Sequence, residues 1–450
     1  MAGQPSGMTR PNWWYHRIRR ELLRHWLPLR GQDARFRRHV TDLATAGPSV
    51  PAGNPRRVAH FISALNPGGA ERQLTYLASR TAQRGIQTRL LTFGPPEDNT
   101  EHYASVLRAD GVPIQRVTAA DLRVQAASGG RPGSGDGVQV VPPRHVARAL
   151  WLADVLRAQA PDVLHCWLDT ESILGGIAAI LAGVPRVILS TRSLNPDHFY
   201  WTQPWYRDWY RTLLACPQVR LLNNSACGAR DYESWLGAPE GTAQVVLNGM
   251  DFSAFGQPSA SREEWRRRVC GTAPGYVIAG VMRLSPQKRP GVFVDVAERV
   301  LAREPAAHMV LAGTGTLDRA IARRIARSPY AARMHQLGSV ADVATLLAHS
   351  DVAVLTSEVE GTPNVLIEAQ YLGVPVVTTR AGGAPETMVP GRTGFVADVD
   401  DVAGLTRHVC RLLRRPELRR QMGEDARAFV AATFSIDRMV DETLAAYSAP

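Results

Sequence analysis

No run of 18 or more apolar residues occurs in this 450-residue chain, so no stretch has the length to cross a bilayer as a helix. The amino-terminal residues lack the apolar centre of a secretory leader. Cysteine is scarce: Cys166, Cys216, Cys227, Cys270 and Cys410 are scattered, with an odd count and no C-x-x-C pair. That pattern suggests neither a disulfide framework nor a zinc site, and it fits a reducing compartment. A cytoplasmic protein is expected, soluble or peripheral at the inner face of the plasma membrane.

An excess of acid is also missing. The net charge is +11, which points to anionic partners: phosphate-bearing small molecules, an anionic bilayer surface or nucleic acid. Hydrophobic residues make up 45% of the chain. At this length that composition predicts two domains, each with its own core.

Residues 1–55 form a basic amphipathic extension. Between Arg10 and Arg38 nine arginines face only Glu21 and Asp33, a local surplus of +7. Interleaved Trp13, Trp14, Tyr15, Ile18, Leu22, Leu23, Trp26 and Leu27 give one apolar helical face. Aromatic and leucine residues opposite arginine suit an interfacial helix among anionic headgroups. A helix packed on its own domain is the plainer alternative, and nucleic-acid binding is not expected.

From Arg56 the pattern alternates strand and helix. Arg57–Leu65 reads as a buried strand, Asn66 to Gly69 as a turn, and Ala70–Arg84 as a helix. Further strands are predicted at Thr88–Phe93, Asp162–Cys166, Arg186–Thr191, Val219–Asn223 and Ala243–Leu247. Residues 124–143, rich in Gly, Ser and Pro, read as an excursion. Asn248-Gly249 looks like the hinge. A second series follows at Tyr276–Met282, His308–Ala312, Val352–Thr356 and Val374–Thr379. Apolar runs of this length between helices indicate parallel sheets covered on both faces. Ile436–Tyr447 is a helix placed to return to the first domain.

Two facing doubly wound domains place a ligand at the carboxyl ends of their strands. The residues there suit a nucleotide sugar. In E-G-T-P-N-V-L-I-E, Thr362 is the expected N-cap and Pro363 the first helical residue, with Glu360 in the loop and Glu368 in the second turn. Two carboxylates beside a helix N-terminus suit a ligand carrying hydroxyls and phosphates. Arg283 and Lys288 can neutralise a departing diphosphate. Gly68-Gly69 and Gly382-Gly383 offer backbone amides that phosphate or sugar can approach. Gly313-x-Gly315 has Asp318 where a dinucleotide fingerprint needs its third glycine, so no Rossmann cofactor is implied.

Together these residues, with Gly382-Gly383-x-x-Glu386, Asn248-Gly249-x-Asp251 and G-G-A-E-R at Gly68–Arg72, resemble the retaining glycosyltransferases of family 4, the group 1 glycosyltransferases. The resemblance covers Arg56 to Tyr447. It implies a GT-B fold: α/β, two facing Rossmann-like doubly wound domains with a cleft between them. The amino-terminal acceptor domain would span 56–248 plus a returning helix in 433–450, and the donor domain 249–432.

The resemblance further implies that Glu368 bonds the ribose hydroxyls and that Glu360 lies against the donor sugar. Arg283 and Lys288 would hold the diphosphate, while Gly68, Gly69, Gly382, Gly383 and Asn364 complete the donor site. It places an active-site histidine after the strand Asp162–Cys166, where His165 is the candidate. The family often has His-x-His there, and this chain has Trp167 in place of the second histidine. Trp167 and Arg192 are candidate acceptor contacts, the indole by stacking on a sugar ring. The aromatic cluster between Ser190 and Tyr210 suits a glycan or polyprenyl-lipid acceptor, a domain core or a membrane contact.

The expected activity is transfer of a sugar from a nucleotide diphosphate sugar, a UDP-sugar foremost, to a glycan or lipid-linked acceptor with retained configuration. Cell-surface polysaccharide or lipopolysaccharide assembly is the expected setting. With two cations and helix N-termini supplying charge, no metal cofactor is required. A phosphorylase or epimerase on a related architecture, or a non-catalytic basic adaptor for membrane or nucleic acid, stand as alternatives.

Overall fold

The central strand-forming runs in this chain are short and buried along their length, as in V-L-H-C-W at 163–167. A computed structural model describes residues 33–45, 55–93, 102–116, 143–254, 258–271 and 275–448. Most of the basic amphipathic segment, at 1–32, and nearly all of the Gly/Ser/Pro-rich excursion lie outside the described residues. None of the described helices is long and apolar enough to cross a membrane.

The first sheet contains β1 (Arg57–Ile62), β2 (Gln87–Thr92), β3 (Ile114–Arg116), β4 (Val163–Trp167), β5 (Arg186–Thr191), β6 (Val219–Asn223) and β7 (Ala243–Val245). Its order is β3-β2-β1-β4-β5-β6-β7, all parallel. The second contains β8 (Tyr276–Val281), β9 (Ala307–Ala312), β10 (Met334–Gly338), β11 (Val352–Leu355), β12 (Val376–Thr379) and β13 (Gly394–Ala397). It repeats the plan, in the order β10-β9-β8-β11-β12-β13. In each sheet the order reverses beside the first strand, between β1 and β4 and between β8 and β11. Those switch points open a crevice for ligand at the strand carboxyl ends.

Alternate residues of the first sheet feed two cores. Ala59, Phe61, Leu164 and Cys166 pack under the helix Asp169–Ala182. A Cβ at Gly175 of that helix would lie 2.2 Å from Cys166 Sγ, so the glycine is what lets the helix settle on the sheet. On the other face, Val58, Ile62, Val163 and Trp167 pack with Met439, Val440 and Tyr447 of the last helix, Ile436–Ser448. The end of the chain thus completes the core of its first half.

Asp33–Thr45 is a helix that seats Val40 and Ala44 in the first domain, with Arg37 Nη1 3.2 Å from Asp208 Oδ2. This part of the basic region therefore packs on its own domain. The aromatic cluster divides: Trp205, Tyr206, Trp209 and Tyr210 are core, whereas Tyr200 and Trp201 are 84% and 45% exposed. Tyr210 and Tyr232 both donate to Asp169 Oδ1, at 2.9 and 2.6 Å.

Candidate active site

The loops after β8 and β11 flank the second switch point and carry opposite charges. After β8, a short turn at Pro286–Lys288 presents Lys288. Arg289 follows with φ 51°, a left-handed residue that redirects the chain into the helix Pro290–Leu301. Thr356 Oγ1, just past β11, donates to the carbonyls of Lys288 (3.2 Å) and Arg289 (3.1 Å), stitching the two loops together. Glu360 accepts from Lys288 Nζ and from Ser357 Oγ at 2.6 Å. The loops thereby deliver one ammonium and one buried carboxylate to the same place.

Lys288 is the only lysine among 52 basic residues. An ammonium is a compact point charge with rotatable donors, unlike the planar fork of arginine. That singularity marks the position from composition alone, a signal the motif reading did not use. Arg283 lies on the same side, exposed. It faces Glu71 of the other domain, whose carboxyl is raised by burial and drawn back in part by this arginine.

Glu368 stands in the second turn of the helix Asn364–Tyr371. Thr362 is not its N-cap, as the sequence suggested; Pro363 takes that position without a side-chain bond. The reason is tertiary, since the Thr362 hydroxyl donates across the cleft to the Asn224 carbonyl. Glu368 is paired with Arg72 of the helix Gly69–Gln83, which belongs to the first domain. Burial works against the Arg72 charge, and the Glu368 carboxylate, with Tyr76 and Tyr103, more than offsets it, raising the guanidinium above its ordinary value. Sequence reasoning cited Arg72 only within a motif and gave it no role.

The two rims touch. Asn248 Nδ2 donates to Asn364 Oδ1 at 2.7 Å and to the Thr362 carbonyl at 3.1 Å. Gln73 and the Gly249 backbone exchange two bonds, at 2.8 and 2.9 Å. Gly68 caps the helix that starts at Gly69, and a Cβ on Gly69 would be 3.4 Å from Asn364 Nδ2. A Cβ on Gly361 would lie 2.3 Å from the Arg192 carbonyl oxygen. Gly382, with φ +49°, would clash likewise with the Glu360 carbonyl, and the Gly383 amide donates to that same oxygen at 3.2 Å. That amide serves the loop and is not free for a ligand here. Glu386 was quoted in the motif without a role; its two carboxylate oxygens accept from the amides of Ala226 (2.7 Å) and Cys227 (2.6 Å) at the start of the helix Ala226–Leu236.

The acceptor-side candidates sit deeper than the sequence implied. His165 is fully buried, with Nδ1 2.8 Å from the Tyr447 hydroxyl and Nε2 unpartnered. Its ring stacks on Trp167 at 4.6 Å, and burial holds it well below its ordinary pKa, helped by His60 and Arg192. Trp167 is likewise inaccessible. Its indole donates to His60 Nδ1 (3.3 Å), and the Arg192 guanidinium lies 4.2 Å above its ring. Stacking on a sugar is therefore not available to Trp167 here, because His165 and Arg192 already cover it. Arg192 reaches Asn248 Oδ1 at 3.4 Å, and its Nε has no partner. Burial lowers it to about 9, still cationic at neutral pH.

Two parallel-sheet α/β domains, each with its switch-point loops at the strand carboxyl ends, define the GT-B fold. The description Glycosyl transferases group 1 matches residues 261–429, and Glycosyltransferase Family 4 matches residues 67–254. The chain belongs to this family. It is 36% identical to the N-acetyl-alpha-D-glucosaminyl L-malate synthase of Bacillus anthracis, over 83% of this chain and 92% of that one. It is 30% identical to the Vi polysaccharide biosynthesis protein VipC/TviE of Salmonella typhi, over 87% and 71%. Among solved structures, Anabaena HepE in complex with UDP and glucose superposes with a TM-score of 0.69 at 20% identity, covering 88% of this chain and all of that one. The protein is a glycosyltransferase that uses nucleotide-sugar donors.

Proposed function

We propose that the enzyme takes a UDP-sugar and transfers the sugar, with retained anomeric configuration, to a glycan or polyprenyl-linked acceptor in cell-surface polysaccharide assembly. The observation that carries this reading is the Lys288–Glu360 pair at the switch point of the second sheet, with Glu368 in the helix that follows the same loop. Ribose hydroxyls replace Arg72 at Glu368. The diphosphate lies toward Arg283, Lys288 and the Gly69 helix start, and Glu360 faces the sugar. As the glycosidic bond to phosphate breaks, negative charge grows on the leaving diphosphate, and fixed cations stabilise that state more than the ground state. In this reading those cations do the work of a metal.

Arg192 has no carboxylate partner among its contacts, so it is assigned to the acceptor side, where an anionic or hydroxyl-rich group completes its bonding. His165, locked by Tyr447 and Trp167, acts by positioning Arg192 through the indole. The name of the Salmonella relative supports polysaccharide as the product class, and the HepE complex supports UDP as the donor nucleotide. Exposed Tyr200 and Trp201 beside the helix Tyr206–Leu214, where Arg207 and Arg211 are exposed, supplement residues 10–38 as a surface for anionic lipid.

Calorimetric titration with UDP, GDP, ADP and CMP tests the donor class, followed by a UDP-sugar panel and NMR of the product's anomeric proton. Binding of UDP alone, and an α product from an α donor, support the proposal. Preference for another base, or inversion, defeats that part of it.

A further inference from the structure

Far from the cleft, three side chains from distant parts of the sequence meet at the opposite edge of the second sheet. His308 is the second residue of β9 and His335 the second of β10, so both lie at the amino ends of their strands. Arg283, Lys288 and Glu360 follow the carboxyl ends. The register pairs His335 with Val310, two residues beyond His308, which puts both imidazoles on one face. The helix Arg262–Cys270 ends over that face and contributes Cys270. One ligand atom from each of Cys270, His308 and His335 lies within 4.8 Å of the others. The imidazoles are parallel (2°), with His308 Nδ1 2.9 Å from His335 Nε2.

We propose that Cys270, His308 and His335 bind a single Zn²⁺, with solvent as fourth ligand on the side of His335. One thiolate and two imidazoles form a donor set suited to this borderline-soft ion. With ligands at roughly 2.0–2.3 Å from zinc, the two rings part and tilt from their present hydrogen bond so that one nitrogen of each turns to the ion. Cys270 and His308 are buried while His335 is half-buried, which gives the ion an entry path and a place for water.

On binding, the Cys270 S–H bond breaks, its proton leaves to solvent and an S–Zn bond forms. The proton now shared by the two facing imidazole nitrogens shifts to the far nitrogen of its own ring. Two cations border the cluster, and both are engaged elsewhere: Arg266 with Asp351 (2.6 Å) and the His349 carbonyl (2.9 Å), and Arg333 with the carbonyls of Leu301, Glu304 and Pro305 at 2.9–3.1 Å. The ion would staple the end of one helix to the two outermost strands of that side, a structural role at the edge away from catalysis. No local motif marks it, because 38 and 27 residues separate the ligands.

The test uses tag-free, full-length protein freed of metal by a chelator and titrated with Zn²⁺ against a chromophoric competitor. One equivalent should bind, with affinity falling roughly 100-fold or more in Cys270→Ser and in His335→Gln, at least the loss an outer-shell partner produces. Co²⁺ in place of Zn²⁺ should give a thiolate-to-metal absorption band that Cys270→Ser lacks, and Zn²⁺ should raise Tm of the native chain but not of the variants. Absence of stoichiometric binding, or equal binding by both variants, overturns the site. UDP titration of the metal-free protein keeps this outcome separate from the catalytic reading, since the cleft does not depend on the ion.

Discussion

Arg72 of the first domain is paired with Glu368 of the second, so the carboxylate assigned to the ribose is held by a cation from across the cleft. In the proposed function a nucleotide displaces that guanidinium as its hydroxyls reach Glu368. Replacing Glu368 by alanine should weaken UDP binding by about 1.5–3 kcal/mol, the scale of a hydrogen bond to a charged group. Arg72→Ala removes the competitor and should leave affinity unchanged or improve it. Calorimetry on both variants decides, and a large loss in Arg72→Ala with none in Glu368→Ala would reverse the assignment.

Lys288 being the sole lysine makes its chemistry readable. An amine-selective acylating reagent can modify only this side chain and the terminal amine, and UDP should protect Lys288 while leaving the terminus reactive. Arginine at this position adds a fork where a point charge is needed. Lys288→Arg should lower kcat roughly 100-fold or more, the cost of misplacing one transition-state donor, with a smaller change in UDP affinity. Peptide mapping by mass spectrometry and steady-state rates check both.

Glu386 lends the second domain's carboxylate to a helix N-terminus of the first. Its loss leaves two first-turn amides without their acceptor. Glu386→Ala should cost about 0.5–2 kcal/mol, as other N-terminal caps do. A urea midpoint that does not move would show that solvent replaces the bond without penalty.

Burial lowers His60 from 6.5 to about 3, and His165 shifts in the same direction. Both are neutral in the native state, and the unfolded chain takes up their protons below 6.5. Their contribution to stability is therefore complete above that pH and declines as pH falls below 6.5, for His60 until about 3, with a slope approaching about 1.4 kcal/mol per pH unit for each group. The double variant His60→Gln, His165→Gln should show a shallower fall in urea midpoint between pH 6.5 and 5 than the native chain. Equal slopes would contradict the burial argument.

Much of this was legible beforehand where the sequence carries a local signal. β5 and β6 lie where continuous apolar runs predicted them, as does the helix after Gly69, with its Leu74 and Leu77 spacing. β3 and β10 were missed because they are short or half-buried edge strands, with Gln115, His335 and Gln336 among their residues. β13 was missed because it opens on a glycine after a turn. Glu360, Lys288 and Glu368 were visible as charges beside a helix start. Their partners were not: Arg72 lies 296 positions from Glu368, and no spacing rule links them. The same distance effect misled the reading of Thr362, whose local role as cap lost to a carbonyl 138 positions away, and of Trp167, whose ring is occupied by a residue from the next strand's end.

The last helix belongs to the core of the first sheet, with Met439, Val440 and Tyr447 against Val58 and Val163. Synthesis order then matters. Domains generally fold as units while the chain emerges, and here the second half can close its core before the first has all of its parts. The first half stays incomplete on the ribosome until the helix Ile436–Ser448 is free, so a nascent chain stopped before that helix should lose the domain made first while the domain made second still folds.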